Sequence, residues 1–200
     1  YTLILIHCTI LMIGGHYTYA EVPLFDTITF NELKSLGLAD FQKEISTLKK
    51  LATKEKDDGL YMEASMADWY YHDKNKLYTT TESINILNFL LREAKRLKQP
   101  YYTILIRFEL GGVLFYQAHD YNYAFTQYIE NYSDIINISS NEMPNKKSII
   151  LHTGNVYYNF KDFIGAKKYL TIADTIGNNW RTRVNIQCKN TLGLIYRNNN

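Results

Sequence analysis

The sequence predicts an all-α protein in which pairs of antiparallel helices stack on one another, and three observations support this prediction. Apolar residues recur at helical spacing almost throughout the chain after Glu21. No alternation of apolar and polar residues is long enough to indicate a β-sheet. Residues of the same type also recur at the same offsets in segments that begin roughly 40 residues apart, which is typical of helical repeat arrays.

The composition narrows the classes of protein to which the chain can belong. Its 200 residues are 46% hydrophobic and 21% charged, which is typical of a globular protein. The 22 basic and 20 acidic residues give a net charge of +2, so no overall charge favours nucleic acid. Two cysteines are too few for a disulfide scaffold.

Residues 1–20 are predicted to form a secretory signal peptide, with an N-terminal membrane anchor or a buried first helix as alternatives. They contain no Lys, Arg, Asp or Glu, and an apolar run extends from Leu3 to Ile13. This run is shorter than the roughly 20 apolar residues that a membrane-spanning helix needs. The small residues Thr18 and Ala20 stand where a signal peptidase would cleave. We therefore expect an exported protein with a periplasmic or otherwise extracytoplasmic location.

Residues 21–58 are predicted to form N-terminal helices that precede the repeats. One apolar stripe at helical spacing consists of Phe41, Ile45, Leu48 and Leu51 with Ala52. The lysines of this segment cover the remaining surface of the same helix. Asp40 is a candidate N-cap.

Residues 59–200 are predicted to contain the helical repeats, of which the last is incomplete. Counted from Gly112, the first clear copy has Phe115, Tyr116, Asp120, Tyr121, Ala124 and Tyr128 at offsets 3, 4, 8, 9, 12 and 16. Counted from Gly154, the second copy has Tyr157, Tyr158, Asp162, Phe163, Ala166 and Leu170 at the same offsets. A third copy starts at Gly193, and a weaker one is centred on Ala67. The second helix of the weaker copy is expected to begin at a cap formed by Thr81 or Ser83.

The spacing of the repeat has a mechanical interpretation. Two helices of a hairpin approach closely where both carry small side chains, so Gly112 is expected to lie against Ala124 and Gly154 against Ala166. The aspartate at offset 8 falls in the turn, where its carboxylate caps the second helix and interacts favourably with the helix dipole. Each hairpin leaves an apolar face uncovered and must therefore stack on a neighbour.

These positions resemble the tetratricopeptide repeat (TPR) family, whose motif has glycine, an aromatic residue three positions later, alanine at offset 12 and a bulky residue at offset 16. The resemblance covers residues 101–200 well and residues 60–100 loosely. The chain departs from the family in its longer period, and Phe108 and Ile150 stand where the family often has Trp. The resemblance implies an αα-hairpin solenoid of TPR-like repeats, stacked as a right-handed superhelix.

The resemblance also implies a concave groove, lined by the first helix of each repeat, in which a protein or peptide binds. The aromatic residue at offset 4, Tyr116 or Tyr158, either lines this groove or packs between consecutive hairpins. The ligand-facing positions that the family implies are Glu109, Val113, Tyr116, Gln117, Leu151, Asn155, Tyr158, Asn159, Leu194, Arg197 and Asn198.

The sequence contains no motif that indicates catalysis or metal binding. No two of its five histidines are four residues apart, and HExxH, CxxC and GxSxG motifs are absent. His72 and His119 each precede an aspartate near a predicted turn, where capping or solvation explains them. The basic stretches 49–56 and 92–98 are interpreted as solvated helix faces. We therefore predict no enzymatic activity, cofactor, metal or nucleic-acid partner for this segment, and membrane contact only through an anchor outside the repeats.

The function predicted from these observations is a non-enzymatic module that binds a protein or peptide outside the cytoplasm. TPR arrays behind a signal peptide also resemble the sensor regions of membrane-tethered bacterial regulators of signalling or transcription. In that alternative, a transmembrane helix and an effector domain would follow residue 200. A third class, glycan-binding lipoproteins, is disfavoured because His7 precedes Cys8, where a lipoprotein signal has a small residue.

Overall fold

The structure is a computed structural model that describes Leu33, residues 35–176 and residues 182–198. Within these residues all the regular secondary structure is helical, which confirms the predicted all-α class. The predicted signal peptide, residues 1–20, lies outside the described residues. The helices are α1 (Leu38–Glu55), α2 (Asp58–Lys74), α3 (Thr80–Arg96), α4 (Pro100–Val113), α5 (Tyr121–Ile135), α6 (Lys146–Asn159), α7 (Phe163–Thr175) and α8 (Thr182–Asn198), and a π-helical turn (Leu114–Ala118) continues α4.

The chain divides into two compact units, Tyr1–Tyr128 and Ile129–Asn200, with the boundary inside α5. In the first unit α1 packs against α2, and α3 packs against both α2 and α4. In the second unit α6 packs against α7, and α7 packs against α8. Helices separated by one other helix also touch, namely α2 with α4 and α6 with α8.

The apolar stripe predicted for α1 forms its contact with α2. Phe41, Ile45 and Ala52 are buried, and the ring of Phe41 stacks on Tyr71 of α2 with 3.7 Å between the ring centroids. Leu51 is exposed because each residue of a helix is rotated by about 100° from the one before it. Ala52 therefore faces α2, and Leu51 does not.

Two helices begin at residues other than the predicted caps. Asp40 lies inside the first turn of α1, where its charge still interacts favourably with the helix dipole. At the start of α3, Thr79 Oγ1 accepts a hydrogen bond from the Glu82 N–H, and Glu82 Oε2 accepts one from the Thr79 N–H at 2.7 Å. This reciprocal capping box fixes the start of the helix at Thr79. The predicted caps Asp40, Thr81 and Ser83 are therefore wrong.

The close approach that the structure shows between α4 and α5 is at Gly111, one residue before the predicted Gly112. A Cβ atom at Gly111 would lie 2.8 Å from Cε1 of Tyr128. Gly112 is partly exposed. Ala124 is fully buried, as expected of a residue in the hairpin core, but Tyr128 is the residue that faces the glycine.

The hairpin of α6 and α7 confirms the predicted close approach at Gly154, although the facing residue differs. A Cβ atom at Gly154 would lie 2.8 Å from Leu170 Cγ and 3.2 Å from the Leu170 backbone nitrogen. Ala166 is fully buried one helical turn earlier, but the atoms nearest to the glycine belong to Leu170. The backbones of the two helices therefore approach closely because residue 154 has no side chain.

The turn aspartates cap the second helices as predicted. Asp162 Oδ1 accepts a hydrogen bond from the Gly165 N–H at 2.9 Å, and Asp120 Oδ1 accepts one from the Tyr123 N–H at 3.1 Å. Each carboxylate satisfies a backbone donor that has no partner inside its helix. The residue before Asp162, Lys161, has a left-handed backbone conformation with φ of 62°.

Two consecutive lysines at the start of α6 are buried and donate to backbone carbonyl groups. Lys146 Nζ donates to the carbonyl oxygens of Ile136 and Ile138 at 2.8 and 2.7 Å. Lys147 Nζ donates to the carbonyl oxygen of Ile176, just after α7, at 3.0 Å. These bonds satisfy carbonyl groups that follow the ends of α5 and α7.

Candidate partner-binding surface

The structure places the predicted ligand-facing residues in three different environments. Val113 and Leu151 are only 4% and 2% exposed, so their assignment to a ligand-facing surface is corrected: both belong to the core. Asn198 ends α8, and its side chain lies outside the part of the chain that is described. The exposed members are Gln117, Asn159, Leu194 and Arg197, and the half-buried ones are Glu109, Tyr116, Asn155 and Tyr158.

In the first unit, Glu109 is the most unusual of these residues. Its Oε1 atom is buried and has no hydrogen-bond partner among the described residues. Burial and the nearby negative charge of Asp73 raise the pKa of Glu109 from 4.5 to about 8. The unfolded chain releases this proton near pH 4.5, and the folded chain retains it until about pH 8. The stability that the neutral carboxyl contributes is therefore present below pH 4.5 and is lost as the pH rises through 8.

Asp73, at the end of α2, belongs to the same acidic environment. Burial raises its pKa, and the hydrogen bond that Ser83 Oγ donates to Asp73 Oδ1 partly opposes this rise. Glu109 lies on α4 and Asp73 on α2. These two helices contact each other directly, although α3 lies between them in the sequence. Two carboxyl groups in a poorly solvated region are stabilised by a neighbouring group that donates a hydrogen bond or carries a positive charge.

In the second unit, the predicted residues lie where α6 meets its neighbours. Thr191 Oγ1 of α8 lies 3.4 Å from Asn155 Oδ1 of α6, although its hydrogen is closer to the Gln187 carbonyl oxygen, which is 3.0 Å from Oγ1. The ring of Tyr158 lies 5.7 Å from the ring of Phe163 in α7. Asn155 and Tyr158 therefore contact the flanking helices and also remain partly accessible.

A concave surface that the sequence did not indicate lies between α1, α2 and the loop after α2. It is an open cleft of about 600 Å³. Lys49 Nζ on one wall forms an ion pair with Asp68 Oδ2 on the other at 2.7 Å. The residues that line the cleft are Gln42, Ile45, Ser46, Lys49, Lys50, Thr53, Asp68, His72 and Tyr78.

The imidazole of His72 is held in place within this cleft. Its Nδ1 atom lies 2.8 Å from the Asp68 carbonyl oxygen and 3.3 Å from Asp68 Oδ1, so Nδ1 is assigned as the donor. The ring stacks on Tyr78 with 4.8 Å between centroids. The prediction that His72 is a capping or solvated residue is therefore wrong. Its ring packs against aromatic side chains and bonds to the Asp68 carbonyl oxygen of its own helix. Lys49 also departs from the solvated face predicted for residues 49–56.

The described residues also provide two negative observations. Within them, no group of three His, Cys, Asp or Glu side chains could hold a metal ion. In the same part of the chain, no helix combines the length and the apolar character needed to cross a membrane.

Cys188 is buried, donates its thiol hydrogen to the Leu170 carbonyl oxygen and has a pKa that burial raises to about 11, as expected of a core residue.

Comparison with known proteins finds no match to a family model, to a curated protein or to a solved structure. What can be proposed of the function therefore depends on the packing and the surfaces of the chain itself.

Proposed function

We propose that this chain is a non-enzymatic, TPR-like helical-repeat module that binds a protein or peptide partner outside the cytoplasm. The observation that carries the proposal is the contact between alternate helices, α2 with α4 and α6 with α8. In a stack of αα-hairpins, the first helices of consecutive hairpins lie side by side and together form one surface. Partner binding through that surface is the function that this arrangement supports best.

The recurrence of two local devices also supports the proposal. A glycine of the first helix lies against a bulky residue of the second, as Gly111 does against Tyr128 and Gly154 against Leu170. An aspartate then caps each second helix. The same solution to helix pairing in two segments is what a repeat architecture requires, because each repeat must solve the same packing problem.

The accessible side chains of the first helices suit peptide recognition. Gln117 and Asn159 are exposed amides, which donate and accept hydrogen bonds with peptide backbone. Tyr116 and Tyr158 are half-buried and provide rigid contact area with a polar hydroxyl. Hydrogen-bonding amides beside tyrosines are a common composition of protein-binding surfaces.

The proposal can be tested by site-specific photo-cross-linking in the full chain. A photoreactive amino acid is placed at Gln117 or Asn159, and at Thr126 or Thr171 on the second helices as matched exposed controls. We expect covalent adducts with one partner protein from the first-helix positions and none from the controls. Equal adduct formation at both kinds of position would contradict the proposal.

The proposed location has a separate test. Fusion of residues 1–58 to a reporter enzyme that folds only after export is expected to give activity outside the cytoplasm. Deletion of residues 1–20 from the fusion should abolish that activity. Reporter activity that survives the deletion would refute the predicted signal peptide and leave the fold unaffected.

A further inference from the structure

The open cleft between α1 and α2 has the size of a small-molecule site, and the proposed function does not use it. Its volume of about 600 Å³ lies within the range of roughly 300–1,000 Å³ that is usual for ligand pockets. All of its lining residues belong to the first unit of the chain, and none of them is a predicted ligand-facing residue. A ligand of this cleft therefore occupies a separate site.

The two helices that form the cleft are joined across it by bonded side chains. Lys49 Nζ of α1 forms the ion pair with Asp68 Oδ2 of α2 at 2.7 Å, and His72 Nδ1 lies 3.3 Å from the other carboxylate oxygen, Oδ1. Ile45, which also lines the cleft, is buried. Because Lys49 already neutralises Asp68, this carboxylate does not make the cleft negative.

The remaining charge of the cleft is positive. Two lysines and one aspartate line it, which gives a net charge of +1 when the His72 ring is neutral. The second lysine, Lys50, has an exposed side chain and forms no ion pair with any residue that the structure describes. The three N–H donors of its ammonium group are therefore available to an anion.

His72 adds a hydrogen-bond acceptor to this positive charge. Its Nδ1–H donates to the Asp68 carbonyl oxygen at 2.8 Å, so in the neutral ring Nε2 carries the lone pair. Within the described parts of the chain Nε2 has no partner, and the side chain is 12% exposed. The stacked ring of Tyr78 fixes the orientation of the imidazole. A hydroxyl group of a ligand is the donor that complements such a nitrogen.

The rest of the α1 wall is polar. Gln42, Ser46 and Thr53 are exposed and line the cleft on the same side of the helix as Lys49 and Lys50. Amide and hydroxyl groups both donate and accept hydrogen bonds, so they suit a ligand with several hydroxyl groups. An unpaired cation, an acceptor nitrogen and these polar groups together favour a hydroxylated anion over an apolar molecule.

We propose that the cleft binds a small anion with several hydroxyl groups, of the class of a sugar acid or a polyol phosphate. The carboxylate or phosphate of the ligand accepts hydrogen bonds from Lys50 Nζ. One ligand hydroxyl donates to His72 Nε2, and others bond to Gln42 and Ser46. The proposal does not depend on the partner-binding function, because it concerns a different surface of the chain.

Six-carbon probes separate the two requirements of the ligand. Gluconate has a carboxylate and hydroxyl groups, sorbitol has only the hydroxyl groups, and hexanoate has only the carboxylate. Binding is measured by NMR titration of the ¹⁵N-labelled full chain. We expect saturable gluconate binding with a Kd of about 1 mM or lower, and at least about fivefold weaker binding of sorbitol and of hexanoate. Sorbitol 6-phosphate is titrated in parallel; tight binding of either anion supports the proposal, and their ratio identifies the preferred anionic group.

Two variants of the full chain assign the site. Lys50→Gln removes the charge and should lower the affinity for gluconate at least about fivefold, to that for sorbitol. His72→Phe keeps a ring that can stack on Tyr78 but has no acceptor nitrogen, so gluconate should bind it no better than hexanoate does. Lys95→Gln removes an exposed lysine of α3 that does not line the cleft, and it should leave both affinities unchanged. The NMR spectrum of each variant confirms that it is folded.

Three results would overturn the proposal. The first is the absence of saturable binding of both gluconate and sorbitol 6-phosphate to the parent chain. The second is equal affinity of the parent for gluconate, sorbitol and hexanoate, because the cleft would then select neither charge nor hydroxyl groups. The third is an equal effect of Lys50→Gln and Lys95→Gln, which would show that the anion responds to the overall charge of the chain and not to this cleft.

Discussion

Replacement of Gly154 by leucine tests the helix approach on which the proposed repeat depends. The first atom of the new side chain would stand 2.8 Å from Leu170 Cγ, which can move, and 3.2 Å from the Leu170 backbone nitrogen, which cannot move without shifting α7. Overpacking of this kind typically costs about 1–3 kcal/mol. Leucine has a better helix propensity than glycine by about 0.8 kcal/mol, which offsets part of the cost. We expect a net destabilisation of roughly 1–2 kcal/mol.

Gly193→Leu is the matched control, because the helix propensity gain is the same and no described atom is displaced. It should leave the stability unchanged or raise it by up to about 0.8 kcal/mol. For a chain of this size the two variants should differ in melting temperature by roughly 2–11 °C. The measurement is thermal unfolding followed by circular dichroism at 222 nm, with urea unfolding to obtain free energies. Equal melting temperatures for the two variants would refute the close approach at Gly154.

Four further predictions concern single side chains. The parent should lose stability between pH 4 and 9 in urea unfolding, and Glu109→Gln should remove that loss. The pKa shift of Glu109 from 4.5 to about 8 sets an upper limit of about 5 kcal/mol on it, and an unchanged pH dependence in the variant would contradict the raised pKa of Glu109. Lys161→Gly should raise the melting temperature by roughly 2–4 °C because the backbone there is left-handed, whereas Lys161→Ala should not raise it. Asp162→Ala should lower the free energy of unfolding by about 1 kcal/mol through loss of the N-cap, and Asp162→Asn should retain most of it. Tyr158→Ala should weaken binding of the cross-linked partner more than it destabilises the fold, when both effects are expressed as free energies. The opposite ranking would assign Tyr158 to packing against Phe163.

The features that the sequence predicted correctly are those with local causes. The burial of Phe41 and Ile45 follows from the spacing of apolar residues on one helix. The caps formed by Asp120 and Asp162 follow from an aspartate placed just before a helical segment. Each depends on residues within one or two helical turns, so a single sequence contains the necessary information.

The features that the sequence did not reveal depend on residues distant in the chain. Lysine is normally exposed, yet Lys147 is buried because its Nζ atom reaches a carbonyl group 29 residues away. Lys49 was assigned to a solvated face, but it pairs with Asp68 across a cleft between two helices. Neither partner is marked by spacing or residue type. Such pairs become visible only when the packing of the helices is known.

The occurrence of the close approach at Gly111, one residue before the predicted Gly112, has a different cause, which is a change in helical geometry. A π-helical turn closes hydrogen bonds from residue i to i+5 and accommodates one more residue than an α-turn. The turn Leu114–Ala118 lies between Gly111 and α5, so Tyr128 follows its glycine by 17 residues, whereas Leu170 follows Gly154 by 16. A gapless comparison of the two copies therefore aligned Gly112 with Gly154, although Gly111 has the equivalent contact.

The same extra residue changes what the first copy can present to a partner. Tyr116 and Gln117 lie inside the π-turn, whereas Tyr158 and Asn159 end a regular α-helix. Residues at equal offsets therefore point in different directions in the two copies, because the π-turn rotates each residue less than an α-turn does. A ligand-facing role that is deduced from an offset can therefore be carried from one repeat to another only where the helical geometry is the same. We therefore expect partner contact at Asn155 and Tyr158, whereas the photo-cross-link at Gln117 tests the first copy separately.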